Sequence, residues 1–153
     1  MKKKFVERKG AHYFLADPSG IVSLIGLERD MDSLLVKKLS VNLPKKKILQ
    51  KVSGKGVLCL DSALEKYSNY YRSNRVCIYA TEKQVKEIET LFQGQNSGHA
   101  ELLIFKPDFE PETEKGKKAT SRLRTLIDLV CDNKTFYAKD LFKQLWKVEM
   151  IES

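Results

Sequence analysis

The chain has no apolar run approaching the eighteen or so residues of a membrane span. It has only two histidines, three cysteines, one tryptophan and four prolines in 153 residues. Each scarcity removes a class. Without a long apolar run no spanning helix is expected, and the basic start Lys2-Lys3-Lys4 leads into Glu7, Arg8 and Lys9 rather than into the apolar stretch of a secretory signal. Cys59, Cys77 and Cys131 are odd in number and too widely spaced for a disulfide framework or a zinc ribbon. Cys59 and Cys77 lie inside apolar runs, where a free cysteine acts as a small hydrophobe. A soluble cytoplasmic protein with reduced core cysteines is the expectation.

The same scarcity bears on catalysis. His12 and His99 stand alone in sequence, so no Ser/His/Asp or Cys/His site is legible. Asp108, Glu112 and Lys115 share one polar loop, whereas a PD-(D/E)xK nuclease separates its first Asp from the second acid and lysine by an apolar strand. Ser53-Gly54 lacks the two alternating carboxylates with which a nucleotidyltransferase holds its metal. Gly54-Lys55-Gly56 is too short for a phosphate loop and reads as a turn before a strand. The expectation is a non-enzyme with no cofactor, no metal and no small-molecule substrate.

What is present is a globular composition, 42% hydrophobic and 31% charged, with a lopsided charge. Residues 1–56 hold 13 Lys or Arg against 5 Asp or Glu, whereas residues 57–153 hold 15 against 15, so the net +8 lies in the first third. Lys37, Lys38, Lys45, Lys46, Lys47, Lys51 and Lys55 are the candidate partner-binding cations, on phosphate or on an acidic protein. A merely solvated lysine face is the competing account. Tyr67, Tyr70 and Tyr71 fall at i, i+3 and i+4 and read as packing residues. Arg72 and Arg75 beside them join the candidates, because exposed rings next to cations would stack nucleobases.

Periodicity and punctuation give an α/β fold, with α+β as the alternative. His12 to Ala16 reads as a strand, and Asp17-Pro18 opens a helix that ends near Gly26 to Glu28. Residues 29–43 are ambiguous, with a strand allowed toward Leu43, and Pro44 opens a lysine-rich helix to Lys51. From residue 57 the order is β-α-β-α-β: runs at 57–60, 75–80 and 100–106, with helices at 62–71 and 82–92. Asp61 or Ser62 is the expected cap of the first helix, and Thr81 with Gln84 makes a capping box for the second. Residues 107–118 read as an exposed, mobile loop. Two C-terminal helices, at about 120–131 and 138–146, close a chain expected to be one domain: a basic segment 1–56, a core 57–106, the loop, and a helix pair within 119–148. Leu123, Leu126, Ile127 and Val130 would share one face of the first. Leu141, Phe142, Leu145 and Trp146 make the last helix an anchor on the sheet more than a DNA-reading helix.

The order Asp61-Ser62-Ala63-Leu64, Asn74-Arg75-Val76-Cys77-Ile78-Tyr79, Ala100-Glu101-Leu102-Leu103-Ile104, Thr125-Leu126-Ile127-Asp128-Leu129 and Tyr137-Ala138-Lys139-Asp140-Leu141 resembles the C-terminal domain of AbiEi-type antitoxins, of type IV toxin-antitoxin (abortive infection) systems, over about residues 57–146. The resemblance implies an interaction domain that opposes a nucleotidyltransferase-like toxin. The family's N-terminal winged helix-turn-helix has no counterpart here, and Leu60-Asp61 replaces its small-residue turn. Two expectations follow: an antitoxin-like regulatory domain with a protein partner, or a basic DNA- or RNA-binding protein, a class that includes transcriptional regulators.

Overall fold

The two apolar runs Arg75–Tyr79 (β5) and Ala100–Phe105 (β6) lie parallel at the centre of a four-stranded sheet in the computed structural model, which describes residues 6–10, 12–95, 98, 100–148 and 150. Leu35–Val41 (β3) flanks β6 and the two-residue strand Val57–Leu58 (β4) flanks β5, both antiparallel, so the order is β3-β6-β5-β4. The parallel pair is joined through the helix Glu82–Leu91 (α4), the crossover that parallel neighbours require. Thr81 and Gln84 close the expected capping box.

Side chains alternate across a strand, and here both faces are covered, which is why β5 and β6 read as unbroken apolar runs. Val76, Ile78, Leu102 and Ile104 pack with Ile48 and Val52 of Lys45–Val52 (α2) and with Val85 and Ile88 of α4. Cys77, Tyr79, Leu103 and Phe105 face the opposite core. That core is built from Pro18–Glu28 (α1), Leu60–Tyr67 (α3), Arg122–Cys131 (α5) and Thr135–Trp146 (α6). Each fully buried large side chain stabilises the fold by about 1.5–3 kcal/mol, and both clusters hold several. The α/β class and the two C-terminal helices are as the sequence predicts.

Several local readings are corrected. A strand at Val6–Lys9 (β1) pairs with His12–Leu15 (β2) in a hairpin apart from the main sheet. The ambiguous stretch resolves into a 3-10 helix, Met31–Leu34, followed by β3. Helix α3 starts at Leu60, with Cys59 at its N-cap and no side-chain cap. Asp61 and Ser62 sit inside its first turn because β5 claims their side chains: Ser62 Oγ accepts the Cys77 amide at 2.9 Å, and Asp61 takes Arg75. The helix stops at Tyr67, so Tyr70 is not a packing residue but 95% exposed. In α5 the buried face is Arg124, Thr125, Leu126, Asp128 and Leu129, while Leu123 is exposed. The 107–118 loop is pinned by Asp108, which pairs with Arg29 and Arg124, and by Glu114, which pairs with Arg122.

Candidate interaction surface

Asp61 is a carboxylate in a nearly closed site, and an uncompensated charge there would cost several kcal/mol. Three side chains compensate it with four hydrogen bonds. Arg75 Nε donates to Oδ2 at 2.9 Å and Nη2 to Oδ1 at 3.1 Å, Lys134 Nζ donates to Oδ1 at 3.0 Å, and the Ser73 hydroxyl donates to Oδ2 at 2.8 Å. These bonds tie the start of α3 to β5, to the 68–74 loop and to the residue that precedes α6. Asp132 approaches the same cations less closely, at 3.3 Å from Lys134 and 3.7 Å from Arg75. Burial, together with the neighbouring Asp61 charge, pushes its carboxyl up to about 6 even though Arg75 pulls the other way.

A second anchor holds the backbone of the same loop residue, Ser73. Lys45, at the start of α2, pairs with Glu65 and donates to the Ser73 carbonyl at 2.8 Å, while Glu65 accepts the Ser73 amide at 2.8 Å. Ser68 Oγ accepts the Tyr71 amide at 3.2 Å. The loop is therefore fastened to the fold at Ser73 and braced within by the Ser68–Tyr71 bond, and it projects Tyr70.

On this foundation the exposed aromatics gather. Tyr71 meets Tyr137 edge to face, with ring centroids 4.9 Å apart, and Tyr137 meets Phe136 in the same way at 5.6 Å. Phe136 is 71% exposed, and Lys139 lies 5.4 Å over its ring. Arg72 is exposed at the loop and donates to the carbonyls of Ser68 and Tyr71. Exposed large aromatics beside an arginine are the composition of an interface centre, and the fixed loop lowers the entropy lost on binding.

The residues expected to meet a partner divide into two groups. Lys45 and Arg75 are held internally, on Glu65 and Asp61, and Lys55 pairs loosely with Glu87 at 3.5 Å. Lys38 pairs loosely with Glu101 at 3.4 Å. Lys37 and Lys38 lie on β3, whose register shifts between Leu35 and Lys37; lysines and a bulge on an outer strand discourage stray strand pairing. Lys46, Lys47 and Lys51 are exposed on α2, which carries no acid. Lys2-Lys3-Lys4 and His99 lie outside the described residues, as does the side chain of His12. Phe136 and Tyr137 were not among the expected residues; their signal is two adjacent aromatics at a helix start that the apolar stripe of Ala138, Leu141 and Phe142 does not use.

A second charge cluster is also absent from the sequence-level reading. Arg29, just past α1, donates to Asp108 at 2.7 and 3.0 Å, to Asp128 at 2.8 Å and to the Tyr79 hydroxyl at 3.1 Å. Arg124 donates to Asp128 at 3.2 Å and to Asp108 at 3.0 Å, with its guanidinium 3.7 Å over the Phe109 ring. Asp128 is fully buried and Arg124 is 3% exposed. The one sequence signal is the i, i+4 spacing of Arg124 and Asp128 within an otherwise apolar helix.

All three cysteines are buried and free, and burial pushes each thiol above its ordinary value. Among the described residues no three His, Cys, Asp or Glu side chains gather to hold a metal, and no helix is long and apolar enough to cross a membrane. Fold and surface together define an α/β domain with helices on both faces of a mixed sheet, whose buried charges are paired and whose exposed Tyr70, Phe136 and Tyr137 lie on the 68–74 loop and the start of α6. No protein-family model, curated protein or solved structure matches the chain.

Proposed function

We propose that this chain is a non-catalytic, antitoxin-like interaction domain that binds an acidic surface of a protein partner through the 68–74 loop and the start of α6. The observation that carries the reading is the exposed set Tyr70, Phe136 and Tyr137, flanked by Arg72 and Lys139 and braced from below by the Asp61 and Glu65 ion pairs. Such aromatics supply contact area with little rotamer entropy to lose. The net positive charge favours encounter with an acidic face. The resemblance to AbiEi-type antitoxins makes a nucleotidyltransferase-type toxin the partner of choice, and on this reading the protein works in the cytoplasm.

The test is titration calorimetry of the chain against a nucleotidyltransferase-type toxin. Saturable binding that the Tyr70→Ala/Phe136→Ala variant abolishes supports the reading. Binding that the variant leaves unchanged contradicts this surface.

Nucleic-acid binding is the second reading, favoured by the acid-free cationic row Lys46, Lys47 and Lys51 on α2. Against it stand Arg75, committed to Asp61, and the rings of Tyr71 and Tyr137, which pack edge to face on each other rather than lying open for base stacking. A log-linear, steep loss of oligonucleotide affinity with salt would favour it.

A further inference from the structure

A cleft of about 470 Å³ opens between the turn that joins α2 to β4 and the loop that precedes α5. The volume falls in the range of small-ligand pockets, roughly 300–1,000 Å³. One wall is aliphatic, made by Leu49, Val52, Leu58 and Ile78. The opposite side brings together Lys66, Lys117 and Lys118, and among the described residues no carboxylate lines the space. The nearby acids are already engaged: Glu114 accepts the Arg122 amide and pairs with its guanidinium, and Glu87 pairs with Lys55. Among the described residues Lys66 and Lys118 have no ion pair, and the Lys117 ammonium is held 5.2 Å over the Tyr67 ring. Three lysines without a carboxylate partner beside a low-dielectric wall give the cleft a positive potential.

The backbone adds to this. Gly54 and Gly116 line the cleft with φ of +79° and +80°, and a Cβ on either would meet nothing within 4 Å, so both turns leave the rim open. The amides of Gly116 and Lys118 donate to no group among the described residues, which leaves this wall with unspent N–H donors as well as ammonium groups. Anions are bound by this pairing of backbone donors and lysine. The aliphatic wall asks for more than an anion, because a bare phosphate would leave it wet.

We propose that the cleft binds a nucleoside di- or triphosphate, its phosphates on Lys66, Lys117 and Lys118 and its base on the wall of Leu49, Val52, Leu58 and Ile78. The two glycine turns are about sixty residues apart in sequence and neither is a phosphate loop by itself; the fold assembles the site. The inference is independent of the interaction surface, which shares none of these residues.

Titration calorimetry at low salt with ADP, GDP, CDP and UDP tests it, with pyrophosphate, adenosine and a single-stranded oligonucleotide alongside. At least one diphosphate is expected to saturate one site, with pyrophosphate and adenosine each weaker by roughly tenfold or more, since each lacks half of the contacts. Lys117→Glu/Lys118→Glu and Lys66→Glu are exposed changes, checked by an unaltered melting temperature, and each should lose roughly tenfold or more in affinity. Lys46→Glu/Lys47→Glu should bind as the parent does. Absence of saturable nucleotide binding overturns the proposal. Pyrophosphate binding as tightly as any nucleotide overturns the base-binding wall, and oligonucleotide binding that the variants lose, without nucleotide binding, reassigns the lysines to a nucleic-acid backbone.

Discussion

Arg29 and Asp128, ninety-nine residues apart in sequence, meet at 2.8 Å and fasten the end of α1 to the buried side of α5. Asp128 serves Arg124 from within its own helix and Arg29 from another, so it neutralises two cations that Asp108 meets from the loop side. The arrangement holds together only while the carboxylates remain.

Asp128→Ala is therefore expected to destabilise the protein by about 3–5 kcal/mol, the cost of leaving buried cations without their partner. Asp108→Ala should cost less, because its carboxylate is 28% exposed and water can replace it. Urea denaturation of the two variants checks the order, and equal losses would contradict it.

Gly26 packs against α5 so closely that a Cβ there would lie 2.6 Å from Val130 Cγ1. Gly26→Ala should cost about 1–3 kcal/mol by overpacking. Val130→Ala, which removes the opposing methyl, should recover part of that loss in the double variant. Strict additivity of the two changes would show that the helices do not meet there.

Asp132 yields a prediction with a definite sign. Its folded carboxyl is raised to about 6 from an unfolded value of about 3.9. The native state thus binds more protons than the unfolded state between these values, and the group's contribution falls as pH rises through about 4 to 6. Asp132→Asn removes the titration. The stability of this variant relative to the parent should rise as pH goes from 4 to 7, measured by thermal melts at each pH. A relative stability that falls over that range would mean that Arg75 and Lys134 outweigh burial and Asp61.

The cysteines give a direct check of the core. With thiols buried and held above their ordinary values, the native protein should react negligibly with a thiol-specific chromogenic reagent at pH 8, while the unfolded protein shows three equivalents. Rapid reaction of even one thiol in the native state would contradict the packing.

Much of the fold was legible because it rests on local signals. Asp17-Pro18 marks the start of α1, Thr81 and Gln84 mark the start of α4, and the runs at 75–80 and 100–106 become the two central strands. What sequence could not supply was pairing across the chain. Asp61 looks like a helix cap until Arg75 and Lys134 are seen to converge on it, and its capture by them leaves Cys59 at the N-cap. Tyr67, Tyr70 and Tyr71 keep helical spacing in sequence, yet the helix ends at Tyr67 and the other two leave it in different directions of use, Tyr71 against Tyr137 and Tyr70 into solvent. The candidate surface was visible only in part: Arg72 lies on it, but the expected Lys45 is spent on Glu65 and Lys55 pairs with Glu87, while Phe136 and Tyr137 come from a helix some sixty residues further on.

The most direct test of the account is a calorimetric titration against a nucleotidyltransferase-type toxin, run with the parent chain and with Tyr70→Ala/Phe136→Ala after their unfolding curves have been compared. Both side chains are largely exposed, so the account predicts that the double substitution leaves stability within about 0.5 kcal/mol of the parent while abolishing the binding. Binding that survives the substitution, with stability intact, would contradict the claim that this braced aromatic loop is the surface on which the protein acts.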